Sequence, residues 1–578
     1  MIYFITGASG FIGSHLLHKL LKFADKDDIL YCLVRHPKKS KAFASAQIRV
    51  LKGDHTSLHR YTHVLLKANY IYHVAAKAEF GNGKIYYEHN ILFTSSLVEI
   101  VKKSKNLKRF IFISSIAAVD RMPKDDCLSM LTEVCKPNPS SDYGKSKLAC
   151  EKIIQQSSLP YVILRPTWVY GPGMRKNSHI RVFIDGIQKG KFFSTWYFPG
   201  SVSLIYIDDL ISAIQRVSVS SKSLRKTYFV SDGNPIPIGK IFQTIGAYLG
   251  NNSGFRSLPS PVTGGIRRIR RFLPLTIQNL FLNILCADPK ALMGIGFKPR
   301  FGYERGIIET IRWHNEQAEA AHNVHSRSVW ITGGANGIGL QTAIQLYAKG
   351  YDLVIIDKDK TNFSYLHDFI HAKNLYADFS NIRSIHTLAS ILKKYAHSIH
   401  IFINNAGIGS KGSFWDISTI KHEKILMVNA YAPIVFSHAL LSVWVHTKGL
   451  HSLINIASSA GFQPMPLMSL YGSSKSFLLR FSQSITGEIG LRKQKNIEII
   501  TVSPSGTATN FQKVSGVKNA GDTLLTPEYV ASRITNSIGK GSRSIIIGYS
   551  GMIMNLYARI VPSEWLILFW SRLMKKYR

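Results

Sequence analysis

The chain has 578 residues, of which 45% are hydrophobic, and a net charge of +38 from 72 basic and 34 acidic side chains. This length predicts two or three domains, and the hydrophobic content excludes a disordered chain. The charge favours anionic ligands such as phosphorylated cofactors, nucleotide-linked substrates or anionic lipid. Without a zinc finger, an aromatic RNA-binding strand motif or a continuous basic arm, we expect no nucleic-acid function.

The cysteines all lie in the first half of the chain and form no CxxC pair or zinc-ligand cluster. We therefore expect free thiols in a reducing cytoplasm and no metal site. The opening MIYFITGAS is a short apolar strand without a basic leader, so we expect no signal peptide and a cytoplasmic protein. The five cysteines are Cys32, Cys127, Cys135, Cys150 and Cys286.

Apolar strand-like runs alternate with helical patterns along the chain, which predicts doubly wound parallel sheets of the α/β class. The runs are IYFIT, ILYCLV, YIYHVAA, RFIFISS and YVILRP in the first half, and SVWIT, DLVIID, HIFINNAG, SLINIAS and IEIITVSP in the second. The polar stretch around 314–328 separates them and predicts domains at 1–322 and 326–578. The extra length of the first half lies after Gly171 and predicts a small substrate-covering lobe.

A glycine turn follows the first strand of each half and opens a helix. Glycine is needed where the backbone turns sharply and approaches a pyrophosphate, and the following helix offers free N–H groups to the phosphates. The context of strand, turn and helix makes this signal stronger than the glycines alone. The predicted cofactor contacts are Gly7, Gly10, Phe11, Ile12 and Gly13 in the first half and Gly333, Gly337, Ile338 and Gly339 in the second.

The residue after the second strand differs between the halves. Arg35 follows YCLV, where an arginine would bind a ribose 2′-phosphate, whereas Asp357 ends DLVIID, where a carboxylate would bind a free 2′-hydroxyl. The sequence therefore predicts NADP(H) in the first half and NAD(H) in the second. Asp54 and Asp378 follow the third strands, where each could bond an adenine or instead cap a helix.

A tyrosine and a lysine four residues apart occur once in each half. The pairs are Tyr143 with Lys147 in DYGKSK and Tyr471 with Lys475 in LYGSSK. Residues at this spacing share a helix face. A neighbouring ammonium and the positive charge of a bound nicotinamide both favour the phenolate, so we expect a lowered tyrosine pKa suited to acid–base work. One such pair proves little, but two pairs behind two glycine turns predict two related active sites.

The second half resembles the compact branch of the short-chain dehydrogenase/reductase superfamily, in TGGANGIG, NNAG, Asn429, Ser458, Tyr471 and Lys475. The resemblance implies that these last four form the catalytic set. It also places Asn405, Ala406 and Gly407 beside the cofactor. Ser505, in PSGTAT, departs from the glycine that the family usually has after this proline.

The first half resembles the extended branch of the same superfamily, which includes nucleotide-sugar epimerases. The resemblance is carried by TGASGFIG, HVAA, Asn90, ISSIAAV, the Tyr143–Lys147 pair and RPTWVYGPG. It implies Tyr143 and Lys147 as catalytic residues and Ala75 as a cofactor contact. The catalytic serine is Ser114 or Ser115, of which we favour Ser115.

The resemblance implies a bifunctional NAD(P)-dependent oxidoreductase. The first half would be a reductase, dehydrogenase or sugar-nucleotide epimerase, and the second an alcohol dehydrogenase or ketoreductase. The expected substrates are small molecules, either lipid-like or nucleotide-linked sugars, and the family implies a homo-oligomer. The alternative is that one half is a catalytically silent dinucleotide-binding scaffold or sensor that docks a partner or membrane.

Two basic and apolar segments are candidates for peripheral membrane contact. They are residues 267–287 and the C-terminal residues 556–578, which contain aromatic and basic side chains together. Neither reaches the roughly 20 apolar residues that a span requires, but such segments can lie in the headgroup plane. The alternatives are a substrate-lid helix for the first and a domain-docking helix for the second.

Overall fold

The computed structural model describes residues 1–35, 43–78, 83–119, 130–191, 196–251, 256–257, 280–281, 285–319, 327–511 and 524–575. The chain divides into two compact units. One comprises Met1–Gln243 and Gly254–Thr310, and the other Thr244–Ser253 and Ile311–Arg578. The predicted boundary at residues 322–326 lies outside the described residues.

Seven parallel strands form the main sheet of the first unit, in the order β11-β6-β5-β4-β1-β2-β3. All five predicted strand runs of the first half contain one of these strands. The strands of this unit are β1 (Ile2–Thr6), β2 (Ile29–Val34), β3 (Ile48–Lys52), β4 (Tyr70–His73), β5 (Arg109–Ile113), β6 (Tyr161–Pro166), β7 (Trp168–Tyr170), β8 (Trp196–Tyr197), β9 (Ser201–Val202), β10 (Leu204–Tyr206), β11 (Lys226–Val230), β12 (Ile236–Pro237) and β13 (Arg256–Ser257).

A second sheet of seven parallel strands has the same connectivity, in the order β16-β15-β14-β17-β18-β19-β20. Its central strands are buried along most of their length, which explains their continuous apolar sequences. The predicted α/β class with parallel sheets is confirmed. The strands are β14 (Ser328–Thr332), β15 (Asp352–Asp357), β16 (Ala372–Tyr376), β17 (Ile399–Asn404), β18 (His451–Ile456), β19 (Ile497–Pro504) and β20 (Arg543–Ile547).

Helices connect the parallel strands and cover the sheets. The α-helices along the described chain are α1 (Phe11–Phe23), α2 (Thr62–Lys67), α3 (Gly83–Tyr86), α4 (Phe93–Val101), α5 (Asp142–Gln155), α6 (His179–Gln188), α7 (Ile207–Val219), α8 (Ile238–Leu249), α9 (Lys290–Met293), α10 (Tyr303–Glu319), α11 (Gly337–Ala348), α12 (Lys360–His367), α13 (Ile382–Tyr395), α14 (Thr419–Leu426), α15 (Ala432–Trp444), α16 (Ser469–Leu491), α17 (Pro527–Thr535), α18 (Tyr549–Ile560) and α19 (Ser563–Lys575).

The strand order reverses beside the first strand of each sheet. Strand β1 lies between β2 and β4, and β14 lies between β15 and β17. In open α/β sheets a crevice forms at this position, outside the carboxyl ends of the strands, and ligands bind there. Each glycine turn follows β1 or β14 directly, so both predicted cofactor turns lie at a switch point.

The lobe predicted after Gly171 contains short strand pairs in place of a large sheet. Strand β7 pairs with β10, β9 with β12, and β8 with β13. Most of the predicted segment 267–287, including its basic cluster, lies outside the described residues.

One continuous helical stretch of the described residues, Thr419–Trp444, is long and apolar enough to cross a membrane, and half of its most apolar window is buried. Its C-terminal part is α15, which buries Phe436, Leu440 and Trp444 in the hydrophobic core of the second unit. This packing accounts for the apolar composition of the helix.

Candidate active sites

The first glycine turn is packed too tightly for side chains. Gly7 has φ +72°, and a Cβ there would lie 2.8 Å from Ala75 Cα, in the loop after β4. A Cβ on Gly13 would lie 2.0 Å from the Gly7 carbonyl oxygen. The Gly10 N–H donates to that same oxygen at 2.9 Å. The backbone therefore forms a bare cradle at the start of α1, where Phe11 and Ile12 are the first helical residues.

The second glycine turn repeats this arrangement. Gly333 has φ +62°, and its Cβ would lie 2.9 Å from Ala406 Cα. A Cβ on Gly339 would lie 2.2 Å from the Gly333 carbonyl oxygen, and Gly337 opens α11 with φ +54°. The loop Asn405–Gly407 closes the other side of the turn, since the Asn405 side chain donates to the Gly333 carbonyl at 2.8 Å.

The first turns of α1 and α11 present backbone N–H groups at these cradles. In the part of the chain that the structure describes, neither Gly10 nor Asn336 caps its helix through a side-chain hydrogen bond. The first N–H groups of a helix have no partner within the helix, and they favour phosphate. A bare cradle beside such N–H groups fits the pyrophosphate of a nicotinamide dinucleotide, which the glycines and the first helical turns, including Ile338, would hold.

A threonine hydroxyl holds each cradle against the neighbouring loop. Thr6 Oγ1 accepts from the N–H groups of Val74 and Ala75, both at 3.1 Å. Thr332 Oγ1 accepts from Asn405 N–H at 3.0 Å and from the following N–H at 3.2 Å. Sequence reasoning did not select these two threonines. Their position directly before the first glycine of each turn is the sequence signal that could have identified them.

Asp357 lies at the ribose end of the second cradle. Its carboxylate accepts from the N–H groups of Ala335 at 3.1 Å and Asp359 at 3.2 Å, and burial raises its pKa. In the first half, Arg35 is exposed directly after β2. Its charge contributes to lowering the pKa of Asp54, so the two side chains share one region. Each predicted ribose residue therefore follows or ends the second strand of its sheet.

Both candidate adenine residues accept local hydrogen bonds. Asp54 Oδ1 accepts from Thr56 N–H at 3.0 Å and from its hydroxyl at 2.8 Å, which lowers the pKa of Asp54 and caps the 3₁₀-helix His55–Tyr61. Asp378 Oδ1 accepts from Ser380 N–H at 2.9 Å and from its hydroxyl at 2.8 Å. Burial would raise the pKa of Asp378, but these hydrogen bonds outweigh it and the pKa is lowered.

The first catalytic constellation lies on α5 and the end of β5. The Ser115 hydroxyl lies near the Tyr143 phenol, where it opposes the larger effect of burial on the pKa of that phenol, and it accepts from Ala117 N–H at 3.2 Å. Lys147 Nζ donates to the carbonyl oxygen of Ile113 at 2.7 Å. The helix spacing and the strand end thus bring the predicted serine, tyrosine and lysine together.

Ser114 has a different environment from Ser115. Its hydroxyl donates to Glu151 Oε1 at 2.5 Å, and Glu151 forms a buried ion pair with Arg165 at 2.6 Å. Ser114 is 3% exposed, whereas Ser115 is partly exposed beside Tyr143. Ser114 is therefore held in the core, and Ser115 is the serine that lies partly exposed near Tyr143.

The second constellation has the same geometry. The Ser458 hydroxyl lies near the Tyr471 phenol, where it opposes the larger effect of burial on the pKa of that phenol, and it accepts from Ala460 N–H at 3.2 Å. Lys475 Nζ donates to the carbonyl oxygen of Ile456 at 2.8 Å. Both serines begin a short 3₁₀-helix, so the two halves position the three side chains with the same local structure.

The protein's own groups do not lower the pKa of either tyrosine, and the lowering expected with a nicotinamide bound stays a prediction. Burial raises the pKa of Tyr143 to about 12 and also raises that of Tyr471. Hydrogen bonds from Ser115 and Ser458 oppose this shift but do not reverse it. Burial lowers the pKa of both lysines, each to about 8. The penalty for charging a group away from water dominates here over attraction between neighbours.

An asparagine stabilises a π-helical turn in each half. Asn429 accepts from Ile408 N–H at 2.9 Å, and its amide donates to the Ile408 carbonyl at 2.9 Å and to Ser474 Oγ at 3.0 Å. Asn90 makes the corresponding bonds to the backbone of Lys77 and to Ser146 Oγ. The asparagines lie in the π-helices Met427–Tyr431 and Tyr87–Leu92. Asn90 was not among the predicted catalytic residues.

Ser505 faces the second constellation from the loop after β19. Its hydroxyl accepts from Gly551 N–H at 2.9 Å, and its own N–H donates to Ile547 at 2.8 Å. The serine that replaces the usual glycine therefore attaches α18 to this loop.

Two doubly wound sheets, each with a bare glycine cradle and a serine–tyrosine–lysine set, define the class of protein. The chain is a tandem of two dinucleotide-dependent oxidoreductase domains of the short-chain dehydrogenase/reductase superfamily. The family comparisons agree: residues 3–230 match the NAD dependent epimerase/dehydratase family and residues 327–519 match short chain dehydrogenase. The first half thus belongs to the epimerase/dehydratase branch and the second to the short-chain dehydrogenase branch, as the sequence resemblance predicted.

Relatives with names from both branches match parts of the chain. UDP-glucose 4-epimerase of Vibrio cholerae is 28% identical over 272 residues, covering 45% of this chain and 78% of its own length. Estradiol 17-beta-dehydrogenase 11 of Mus musculus is 26% identical over 266 residues, covering 44% and 86%.

Solved structures similar to each half are also known. UDP-glucuronic acid 4-epimerase from Bacillus cereus, in complex with UDP-glucuronic acid and NAD, is 21% identical with a TM-score of 0.45, covering 55% of this chain and 100% of its own. A short-chain dehydrogenase from Sphingobium yanoikuyae, in complex with NADPH, is 25% identical with a TM-score of 0.36, covering 44% and 96%.

Proposed function

We propose that the chain is a bifunctional oxidoreductase, in which the first half acts on a nucleotide-linked sugar and the second on a lipid-like alcohol or ketone. The observation that carries this proposal is that both halves bring a serine, a tyrosine and a lysine together beside a bare glycine cradle, with each serine hydroxyl bonded to a backbone N–H and each lysine Nζ to a strand carbonyl. A silent half would have no need for a second complete set. The two sites therefore support two reactions.

The protein's own groups perform acid–base chemistry at the substrate oxygen. A bound nicotinamide dinucleotide supplies or accepts the hydride. Tyr143 or Tyr471 donates its phenolic proton to a carbonyl oxygen during reduction, or takes a proton from a hydroxyl during oxidation. Ser115 or Ser458, which lies near that phenol, orients the same substrate oxygen. The hydroxyl of each serine is fixed by a backbone N–H, so this geometry exists before the substrate arrives.

Each lysine contributes a positive charge near the phenol. With a pKa of about 8, the ammonium form of Lys147 and Lys475 predominates at neutral pH. The hydrogen bond from each Nζ to a strand carbonyl fixes this charge in place. As a phenolate develops during reduction, the fixed charge stabilises it.

The first site carries a positive charge suited to an anionic substrate. Arg175 is exposed, and its charge contributes to lowering the pKa of Tyr143 against the larger effect of burial. A nucleotide diphosphate attached to a sugar presents such an anion. The relatedness to UDP-glucose 4-epimerase supports the same substrate class, with hydride transfer at a hydroxyl-bearing sugar carbon as epimerase, reductase or dehydrogenase.

The second site has an apolar wall. The ring of Phe511 lies 5.1 Å from that of Tyr471, and a Cβ on Gly409 would lie 2.7 Å from Phe511. An aromatic side chain packed beside the reacting phenol favours a substrate with apolar surface near its hydroxyl or ketone. The relatedness to estradiol 17-beta-dehydrogenase 11 supports a lipid-like substrate.

We also propose that the halves use different cofactors, NADP(H) in the first and NAD(H) in the second. The exposed guanidinium of Arg35 follows β2, where it would pair with a 2′-phosphate. The Asp357 carboxylate ends β15, where it would accept from a 2′-hydroxyl and repel a phosphate.

Self-association of the chain stays a prediction, which sedimentation of the full chain would measure.

The proposal is tested with the full chain and two reciprocal variants. UDP-glucose and UDP-glucuronic acid are assayed for epimerisation and redox turnover, and a panel of steroid and long-chain alcohols for NADH formation. Tyr143→Phe should lower the sugar reaction about 10²- to 10⁴-fold and leave the alcohol reaction unchanged, while Tyr471→Phe should do the reverse. If one tyrosine variant lowered both reactions, or neither, the assignment of two independent sites would be wrong.

A further inference from the structure

Helix α18 directs its apolar stripe away from the protein. Six apolar side chains recur at the spacing of one helix face, and each is at least 49% exposed. In a soluble domain such a stripe normally packs onto the core. The stripe consists of Tyr549, Met552, Ile553, Leu556, Tyr557 and Ile560.

The opposite face of α18 is fixed by close contacts. Gly551 is buried, and its N–H donates to Ser505 Oγ at 2.9 Å. A Cβ on Gly551 would lie 2.6 Å from that oxygen and 3.2 Å from Ser459 Cβ, so only glycine permits this approach. Ser459 directly follows the catalytic Ser458. The stripe is therefore held facing outward on a helix that contacts the active-site loop of the second half.

Helix α19 extends the exposed apolar area. Trp565, Ile567, Leu568 and Phe569 are 71%, 44%, 57% and 59% exposed. Leu566 and Trp570 are buried and fix this helix in turn. The ten exposed apolar side chains of α18 and α19 are called the C-terminal apolar surface below.

The charges along this surface are positive. Arg559 and Arg572 are exposed, and Glu564 is the one acidic side chain between residues 549 and 572. A second copy of the chain would bring the same cations together at a two-fold interface, within a chain whose net charge is already +38. Anionic headgroups would instead pair with them.

We propose that the C-terminal apolar surface docks in the headgroup plane of an anionic lipid bilayer. Its helices have 12 and 13 residues, shorter than the roughly 20 that a span needs. Tryptophan and tyrosine at its edges are the side chains that favour the boundary between water and lipid. An amphipathic helix with an apolar face and flanking cations binds in this orientation.

Docking there would hold the Ser458 loop at the bilayer surface. An apolar alcohol or ketone is concentrated in the bilayer, so the second site would take its substrate from there. This consequence rests on the proposed lipid-like substrate. Binding of the C-terminal apolar surface to lipid does not depend on that substrate, and it is measured without turnover.

The test is flotation of the full chain with vesicles of phosphatidylcholine, with and without phosphatidylglycerol. We expect binding to the anionic vesicles. The variant Leu556→Glu with Ile560→Glu should lower it at least tenfold, because two exposed apolar side chains that would enter the lipid are replaced by charged ones. Leu491→Glu replaces an apolar side chain that is 86% exposed on α16 and should leave binding unchanged. Circular dichroism checks that each variant is folded.

A second variant separates charge from apolar contact. Arg559→Glu with Arg572→Glu should weaken binding to anionic vesicles and remove its dependence on salt. Unchanged binding in the Leu556→Glu and Ile560→Glu variant would overturn the proposal, as would an equal loss in Leu491→Glu. The chain could instead fail to bind vesicles and self-associate, with replacement of Leu556 and Ile560 abolishing that self-association. This result would assign the surface to a second copy and would also overturn the proposal.

Discussion

Replacing Gly13 by alanine should disable dinucleotide binding in the first half alone. A methyl group there would lie 2.0 Å from the Gly7 carbonyl oxygen, 2.7 Å from its carbonyl carbon and 2.9 Å from Ala8 Cα. All three neighbours are backbone atoms, so no side-chain rotation relieves the clash. Because non-bonded heavy atoms settle at about 3.5 Å, the turn and the start of α1 must separate by about 1 Å or more.

The expected loss follows from this displacement. Overpacking that forces a backbone shift costs about 1–3 kcal/mol, and here the shift opens the cradle that would hold the pyrophosphate. Since 1.4 kcal/mol corresponds to a factor of ten in affinity, binding in the first half should weaken roughly 10- to 100-fold. Gly339→Ala, whose Cβ would lie 2.2 Å from the Gly333 carbonyl oxygen, should have the same effect in the second half.

Calorimetric titration of the full chain with NADPH and with NADH measures both sites together. The unmodified chain should bind two dinucleotides, each single variant one, and the double variant none at the same concentrations. Gly487→Ala provides a matched control, because a Cβ there has nothing within 4 Å. A folded Gly13→Ala chain that bound two dinucleotides with unchanged affinity would refute the reasoning about the cradle.

Three further predictions concern the same sites. Ser115→Ala should lower turnover of the first half without changing its stability, whereas Ser114→Ala should leave Glu151 short of a hydrogen bond and lower the free energy of unfolding by about 1–3 kcal/mol, as urea titration would show. Burial lowers the pKa of Lys475 from 10.5 to about 8. At pH values between these two, the Lys475 amine is protonated in the unfolded chain and neutral in the native chain. Stability should therefore rise with pH across this window, by roughly 3 kcal/mol at most, and urea unfolding of Lys475→Met at successive pH values should lack that contribution. Arg35→Asp should shift the preference of the first half from NADPH towards NADH in competitive titrations, and an unchanged preference would remove Arg35 from the 2′-phosphate site.

Most of the sheet architecture could be predicted from sequence because the central strands are buried on both faces and read as apolar runs. The edge strands were harder. Strand β3, IRVLK, is exposed at three of its five residues, and β16, AKNLY, is exposed at two. Mixed polar and apolar residues in such short segments do not distinguish a strand from a loop. Their positions become clear only from pairing with β2 and β15.

The sequence predicted that the candidate serine, tyrosine and lysine of each half come together, but not how deeply they are buried. Spacing could bring Tyr471 and Lys475 to one helix face, but it could not show that burial raises the pKa of the tyrosine. Adjacent residues on an extended strand point to opposite sides, and for this reason sequence left Ser114 and Ser115 undecided. The stripe on α18 has the spacing of a buried helix face, and only the contact of Gly551 shows that it points outward.

The buried pair of Glu151 and Arg165 has a consequence for how the first half can change during evolution. Loss of either partner leaves an uncompensated charge in the core, at a cost of about 3–5 kcal/mol, whereas joint replacement by apolar residues is often tolerated. The second half has a neutral network instead, in which Asn404 donates to Asn455 and Asn455 donates to Ser482, each at 2.8 Å. A single mutation in this neutral network leaves no unpaired charge in the core. The two halves should therefore accumulate substitutions beneath their catalytic helices by different routes, in coupled pairs in the first and singly in the second.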